Sequence, residues 1–217
     1  MKRIIIIGEG QTEQEFCKDV LIPHFSKKDI IIQYPTIKHS AGGIVPWPIF
    51  KRQIETHLHQ DGEAIVTTFI DFYGIRERHK FPRWEEAIQI SDISQRMTYL
   101  EKAMLDEINE DINNRFVPYI QLHEFEGLLF NRLEVFRNNF TAQEADLTGL
   151  ESIISQYPNT ELINDGQDTA PSKRLEKLIK GYNKVVYGAI LATEIGLENL
   201  RHKSPRFNSW IGILESK

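Results

Sequence analysis

Ile4-Ile5-Ile6-Ile7-Gly8-Glu9-Gly10-Gln11-Thr12-Glu13-Gln14-Glu15 decides how this chain is read. Four consecutive β-branched residues predict a buried strand close to the start of the sequence. Two glycines then bracket a carboxylate, and a helix start follows at once. Thr12 and Glu15 have capping-box spacing, which predicts Thr12 as the N-cap. The order is strand, tight turn, helix, with Glu9 in the turn and Glu13 in the first helical turn. The carboxyl end of a central strand is where α/β proteins tend to place their chemistry. Glu13 and Glu15 also have a plainer use, complementing the helix dipole. A charged residue between two glycines, such as Glu9, has no evident structural use.

Working outward, strands are predicted at 3–7, 29–34, 64–70 and 117–122. Helices are predicted over 12–26, from about 48 to 60, and from Asp92 to about Asn114. Residues 71–91 read as loop, and Glu124–Phe130 as a helical turn. Strands alternating with helices at these intervals suit βαβ units and a small, mainly parallel sheet. From 131 onward the chain reads as short helices, parted by Tyr157-Pro158-Asn159 and by the loop Asp165–Pro171. The expected class is α/β, Rossmann-like, with residues 1–135 as the catalytic core. Residues 136–217 form a helical region packed on that core as one unit. Ser40-Ala41-Gly42-Gly43 is expected to be a flexible turn.

Length and composition agree with one domain. The chain has 217 residues and 41% hydrophobic content, enough for a proper core. The single cysteine, Cys17, excludes a disulfide framework and a cysteine-rich zinc site. The leading apolar run is too short for a signal peptide, and no stretch approaches a membrane span; a cytoplasmic protein is expected. Net charge is −5, unevenly spread. Residues 171–217 hold nine Lys/Arg against four Asp/Glu, and the first 170 hold 17 against 27. An acidic body with a basic C-terminal segment suits a metal-dependent enzyme acting on a phosphate polymer, and equally suits a solvated surface.

Acids follow three predicted strands: Glu9 after the first, Asp71 after strand 64–70, and Glu124 and Glu126 after strand 117–122. In a parallel sheet these ends share one edge. Crowded carboxylates repel one another unless a cation sits among them. Mg²⁺, which takes oxygen ligands, is the natural guest, and it can serve phosphoryl transfer. The plainer readings are a turn cap for Asp71 and helix-start acids for Glu124 and Glu126. The chain lacks a Walker A sequence, a complete dinucleotide fingerprint and a Gly-x-Ser-x-Gly elbow.

Gly8-Glu9-Gly10-Gln11-Thr12-Glu13, with an aspartate after a hydrophobic strand, resembles the Toprim fold of topoisomerases, primases and nucleases of the overcoming-lysogenization-defect type. With Asp71-Phe72-Tyr73-Gly74, His123-Glu124-Phe125-Glu126, Ala170-Pro171-Ser172-Lys173-Arg174 and Pro205-Arg206-Phe207-x-x-Trp210, the chain more closely resembles the Toprim-like family called domain of unknown function 4276. The resemblance spans nearly the whole chain. It implies a Mg²⁺- or Mn²⁺-dependent nuclease acting on DNA or RNA. Glu9, Asp71 and Glu124 would be catalytic, and Glu9, Glu13, Asp71, Glu124 and Glu126 would be metal ligands. Tyr73 stands where the Toprim Asp-x-Asp motif has its second aspartate, so Glu124 or Glu126 would have to supply the missing oxygen. The resemblance also implies a separate AAA/ABC-type ATPase partner and a role in bacterial antiphage defence. A decayed site on a regulatory subunit, and an enzyme acting on small phosphorylated molecules, are the alternatives. The oligomeric state is left open, a homo-oligomer included.

Lys173 and Arg174 lie at a predicted helix start, where they and backbone N–H groups would hold a substrate phosphate, or would equally form a solvated helix face. Arg201, Lys203 and Arg206 are read as a second basic cluster. Arg76, Arg78, His79, Lys80 and Arg83 form a basic loop after Asp71. Phe207 and Trp210, at i and i+3, are expected in the core.

Overall fold

Strand β1 (Lys2–Gly8) runs through the middle of a parallel sheet. The computed structural model describes residues 2–40, 43–164, 166 and 169–217. Thus Ala41 and Gly42 of the expected turn, and Asp165, Gln167 and Asp168 of the loop before Pro171, lie outside the described residues. β2 (Ile30–Gln33) pairs with one edge of β1, and β3 (Ile65–Asp71) with the other. β4 (Phe116–Val117) and β5 (Ile120–Gln121) both pair with the far edge of β3. All pairings are parallel and the order is β2-β1-β3-β4, so the chain forms the expected α/β sheet flanked by helices.

The four isoleucines of β1 explain its central place. Ile4 and Ile6 enter one apolar layer and Ile5 and Ile7 the other, and all four are buried. A strand covered on both faces needs no polar alternation. One layer holds α3 (Trp47–Gln60), α4 (Trp84–Ile88) and α5 (Ile93–Asp106). The other holds α1 (Gln11–Phe16), α2 (Ile22–Ser26) and helices from the C-terminal part. A π-helical turn, Cys17–Leu21, joins α1 and α2 into one rod over 11–26.

The strand expected over 117–122 is divided. Pro118 has no N–H for the ladder, and side chains of β3 bridge the gap. The Thr67 hydroxyl donates to the Val117 carbonyl at 2.5 Å; the Thr68 hydroxyl donates to the Tyr119 carbonyl and accepts its N–H, at 2.8 and 2.9 Å. α5 begins as expected, with the Asp92 carboxylate accepting the Gln95 N–H, but it ends at Asp106 rather than near 114.

The C-terminal part comprises α6 (Leu133–Asn139), α7 (Leu147–Gln156), α8 (Pro171–Leu178), α9 (Lys184–Ile195), α10 (Leu197–Lys203) and α11 (Pro205–Ser216). It shares one buried cluster with β1 and α1. Trp210 stacks on Tyr119, ring centroids 4.5 Å apart, and its indole N–H donates to the Thr67 hydroxyl at 2.9 Å. Phe207 and Trp210 are core residues, as their spacing suggests. No described helix is long and apolar enough to cross a membrane.

A carboxylate cleft at the strand ends

β1 lies between β2 and β3, so the connections leaving β1 and β3 diverge at their carboxyl ends. Such a divergence opens a crevice in a parallel sheet. Here the crevice is a cleft of about 500 Å³ lined by Glu9, Thr12, Glu13, Asp71 and Lys184, among others.

Gly10, not Thr12, precedes the first helical residue. Glycine has no side chain to cap with, and the link runs the other way: the Glu13 carboxylate accepts the Gly10 N–H at 2.7 Å. Thr12 is instead buried against α9, where a Cβ on Gly188 would meet its methyl at 3.2 Å. Glu9 crosses to the neighbouring strand, and its Oε2 accepts the Asp71 N–H at 3.2 Å. Asp71, the last residue of β3, accepts the Phe125 N–H at 3.0 Å. His123 adopts a left-handed φ of 65°. It turns the chain so that its carbonyl accepts the Tyr73 N–H at 2.9 Å. Three strand ends are thereby tied together by backbone groups and carboxylates.

Glu126 lies on the 3₁₀ turn Phe125–Leu129 and is 2% exposed; its Oε1 is enclosed without a hydrogen-bond partner among the described residues. Glu124 begins that turn and points to α8, where its Oε2 accepts the Ser172 N–H at 2.9 Å. The helix start that the sequence offers to a phosphate is therefore met by a carboxylate of the protein.

The electrostatics reflect this crowding. Burial, then Glu13, pushes the Glu9 carboxyl up to about 7. Burial raises Glu13 despite its hydrogen bonds. Asp71 is raised well above the ordinary range by burial and by Glu9, Glu13, Glu126 and Glu124. Glu126 is pushed up to about 7, chiefly by burial. Lys184, at the start of α9, is a cation among these acids. Burial works against its charge, but Glu126, Glu13, Asp71 and Glu9 together hold its pKa above the usual lysine value. No pattern marks this lysine in the sequence; the packing of α9 on α1 brings it to the cleft.

The chain's other basic residues are mostly engaged by the protein. The Lys173 ammonium pairs with Glu176 at 2.6 Å, and Arg174 donates to the Thr169 carbonyl at 2.7 Å beside the Tyr157 ring. Arg206 pairs with Glu101 at 2.6 Å, Arg201 with Glu215 at 3.0 Å, and Lys203 donates to the Asn131 carbonyl. In the loop after Asp71, Arg83 pairs with Asp106 and Arg76 lies over the Tyr73 ring.

The family model described as Domain of unknown function (DUF4276) matches residues 8–215. The chain belongs to this family. No curated protein and no solved structure matches it. In this DUF4276 chain the matched region begins at the glycine before Glu9 and takes in all five carboxylates.

The donor set of the cleft is all carboxylate oxygen, which suits a hard divalent cation, and the unpartnered Glu126 Oε1 is a ready acceptor of positive charge. Among the described residues no three His, Cys, Asp or Glu side chains are gathered around a common point as a cation cage. Charge and donor type suit such an ion, whereas the described side chains as placed form no cage for it.

Proposed function

We propose that this protein is a Mg²⁺- or Mn²⁺-dependent nuclease of Toprim type, cleaving phosphodiester bonds of DNA or RNA. One observation carries the reading: acids from neighbouring strand ends meet at one sheet edge, Glu9 accepting the Asp71 N–H and Asp71 the Phe125 N–H, with Glu13 and Lys184 lining the same cleft. Glu9, Glu13, Asp71, Glu124 and Glu126 would hold the ion. When bound, it would supply an activated water and neutralise charge on the phosphate. Glu9, Asp71 and Glu124 are the catalytic carboxylates in this reading. Lys184 offsets part of the cleft's negative charge, so that a polyanion can approach. Lys173, exposed and close enough to feel Glu124, and Arg174 would contact a flanking phosphate. A cytoplasmic effector of antiphage defence, working with a separate AAA/ABC-type ATPase, is the setting we infer from the resemblance to split nuclease–ATPase systems; that is analogy at the level of fold and family.

A second reading, a regulatory subunit without catalysis, is favoured by one observation. The carboxylates are not gathered into a cage among the described residues, and Tyr73 replaces an aspartate of the Toprim pattern. Thermal unfolding separates the two. A ligand at 100 times its Kd stabilises the folded state by about 2.7 kcal/mol. The nuclease reading expects Mn²⁺ or Mg²⁺ at millimolar concentration to raise Tm by several degrees in the wild type and much less in Glu9→Gln. Identical curves with and without metal would favour the regulatory reading.

A further inference from the structure

A second opening, of about 570 Å³, adjoins the carboxylate cleft and has the opposite charge. One wall is a face of α3 carrying Ile49, Arg52 and His57; the other is the segment after β2 with Lys38 and His39. That segment is shared: Thr36, Ile37 and Ser40 line the carboxylate cleft, while Lys38 and His39 line the basic one. It is held firmly. The Ile37 N–H donates to the Gly8 carbonyl at 3.0 Å, the Gln53 side chain accepts the Lys38 N–H at 2.8 Å, and it donates to the Thr36 carbonyl at 2.9 Å. His39 takes a left-handed φ of 62°. Among the described residues no carboxylate pairs with Lys38 or Arg52, unlike Arg83, Arg201 and Arg206. The enclosed His57 Nε2 likewise has no partner among the described residues.

Two unpaired cations and two imidazoles around a concavity make an anion site, and the shared segment places it beside the cleft. Five residues span at most about 17 Å when fully extended, and phosphates along one strand of a duplex are spaced about 3.4 Å apart along the axis. We propose that the pocket of Lys38, His39, Arg52 and His57 holds a backbone phosphate of the nucleic-acid strand whose scissile group lies in the carboxylate cleft, a few nucleotides away. Ile49, 43% exposed, offers an apolar wall for the adjoining sugar or base. The proposal rests on the nuclease reading above.

The test is fluorescence anisotropy with 12-nucleotide labelled DNA and RNA strands, in EDTA so that no cleavage occurs. The wild type is compared with the double variant Lys38→Gln/Arg52→Gln. A charge-matched control, Lys102→Gln/Lys180→Gln, removes two exposed lysines found in neither opening. The expected result is binding weakened 10- to 100-fold at 0.1 M salt in the first variant alone. Its salt slope should fall by about 0.7, the value for one lost single-strand phosphate contact. Equal binding and slope in all three proteins would overturn the subsite and leave the nuclease reading intact. If the wild type binds no strand but inorganic phosphate raises its Tm through Lys38 and Arg52, the pocket takes a free anion and the strand proposal is overturned. Binding of neither probe overturns the subsite and counts against the nuclease reading as well.

Discussion

Glu126 shows what the crowded carboxylates cost the protein in the absence of a cation. Its carboxyl protonates near pH 7 in the folded state, against an ordinary value of 4.5. Between those values the folded state binds more protons than the unfolded chain, so stability falls as pH rises. The contribution is neutral below about pH 4.5 and reaches a penalty on the order of 3 kcal/mol above pH 7. Urea titrations of the metal-free protein from pH 5 to 8 should therefore show declining stability, with a shallower decline in Glu126→Gln. Equal slopes in the two proteins would mean that Glu126 is not held as described. The acids themselves are legible in the sequence, because an apolar run announces where a strand ends and Glu9, Asp71 and Glu124 stand just beyond. Lys184 is not legible. It lies 58 positions after Glu126, and only tertiary packing brings it to the cleft.

At the scale of elements, the site depends on how closely α9 approaches α1. Gly188 makes the approach feasible: an added Cβ would stand 3.2 Å from Thr12 and 3.3 Å from Phe125. Gly188→Val should destabilise the fold by about 1–3 kcal/mol through overpacking, read as a lower urea midpoint with unchanged m. It should also weaken Mn²⁺ binding, since Thr12 sits beside Glu13. The start of α8 gives a second prediction. Glu124→Ala leaves the Ser172 N–H without its carboxylate and should cost about 1 kcal/mol, as loss of a helix cap does. Sequence spacing locates α1 but misplaces its cap, because Thr12–Glu15 matches a capping box while the link actually used, Gly10 to Glu13, needs no N-cap side chain. The strand at 117–122 is legible from its apolar pattern; its break is a consequence of Pro118, which the pattern alone does not weigh.

For the whole molecule, one buried cluster runs from Ile4 to Leu214, so sheet and C-terminal helices should unfold together. Trp210→Ala removes the stack on Tyr119 and the bond to Thr67. It should cost about 3–5 kcal/mol while keeping a single transition by circular dichroism and fluorescence. Two separated transitions would mean that the C-terminal helices fold on their own. The parallel architecture is readable from alternating apolar runs and helix periods. The destinations of the basic residues are not: Arg206 looks like a surface cation in sequence, yet it is spent on Glu101, more than a hundred positions away. The central claim is that the carboxylate cleft cuts nucleic acid, and cleavage tests it most directly. Plasmid DNA and total tRNA should be incubated with Mg²⁺ or Mn²⁺ and wild-type protein or Glu9→Gln, each with and without a neighbouring ATPase. The account predicts metal-dependent cleavage of at least one polymer by the wild type, reduced at least 100-fold in Glu9→Gln, in the range seen when an electrostatic catalytic group is lost. Intact polymers under every condition, or cleavage that Glu9→Gln leaves unchanged, would contradict it.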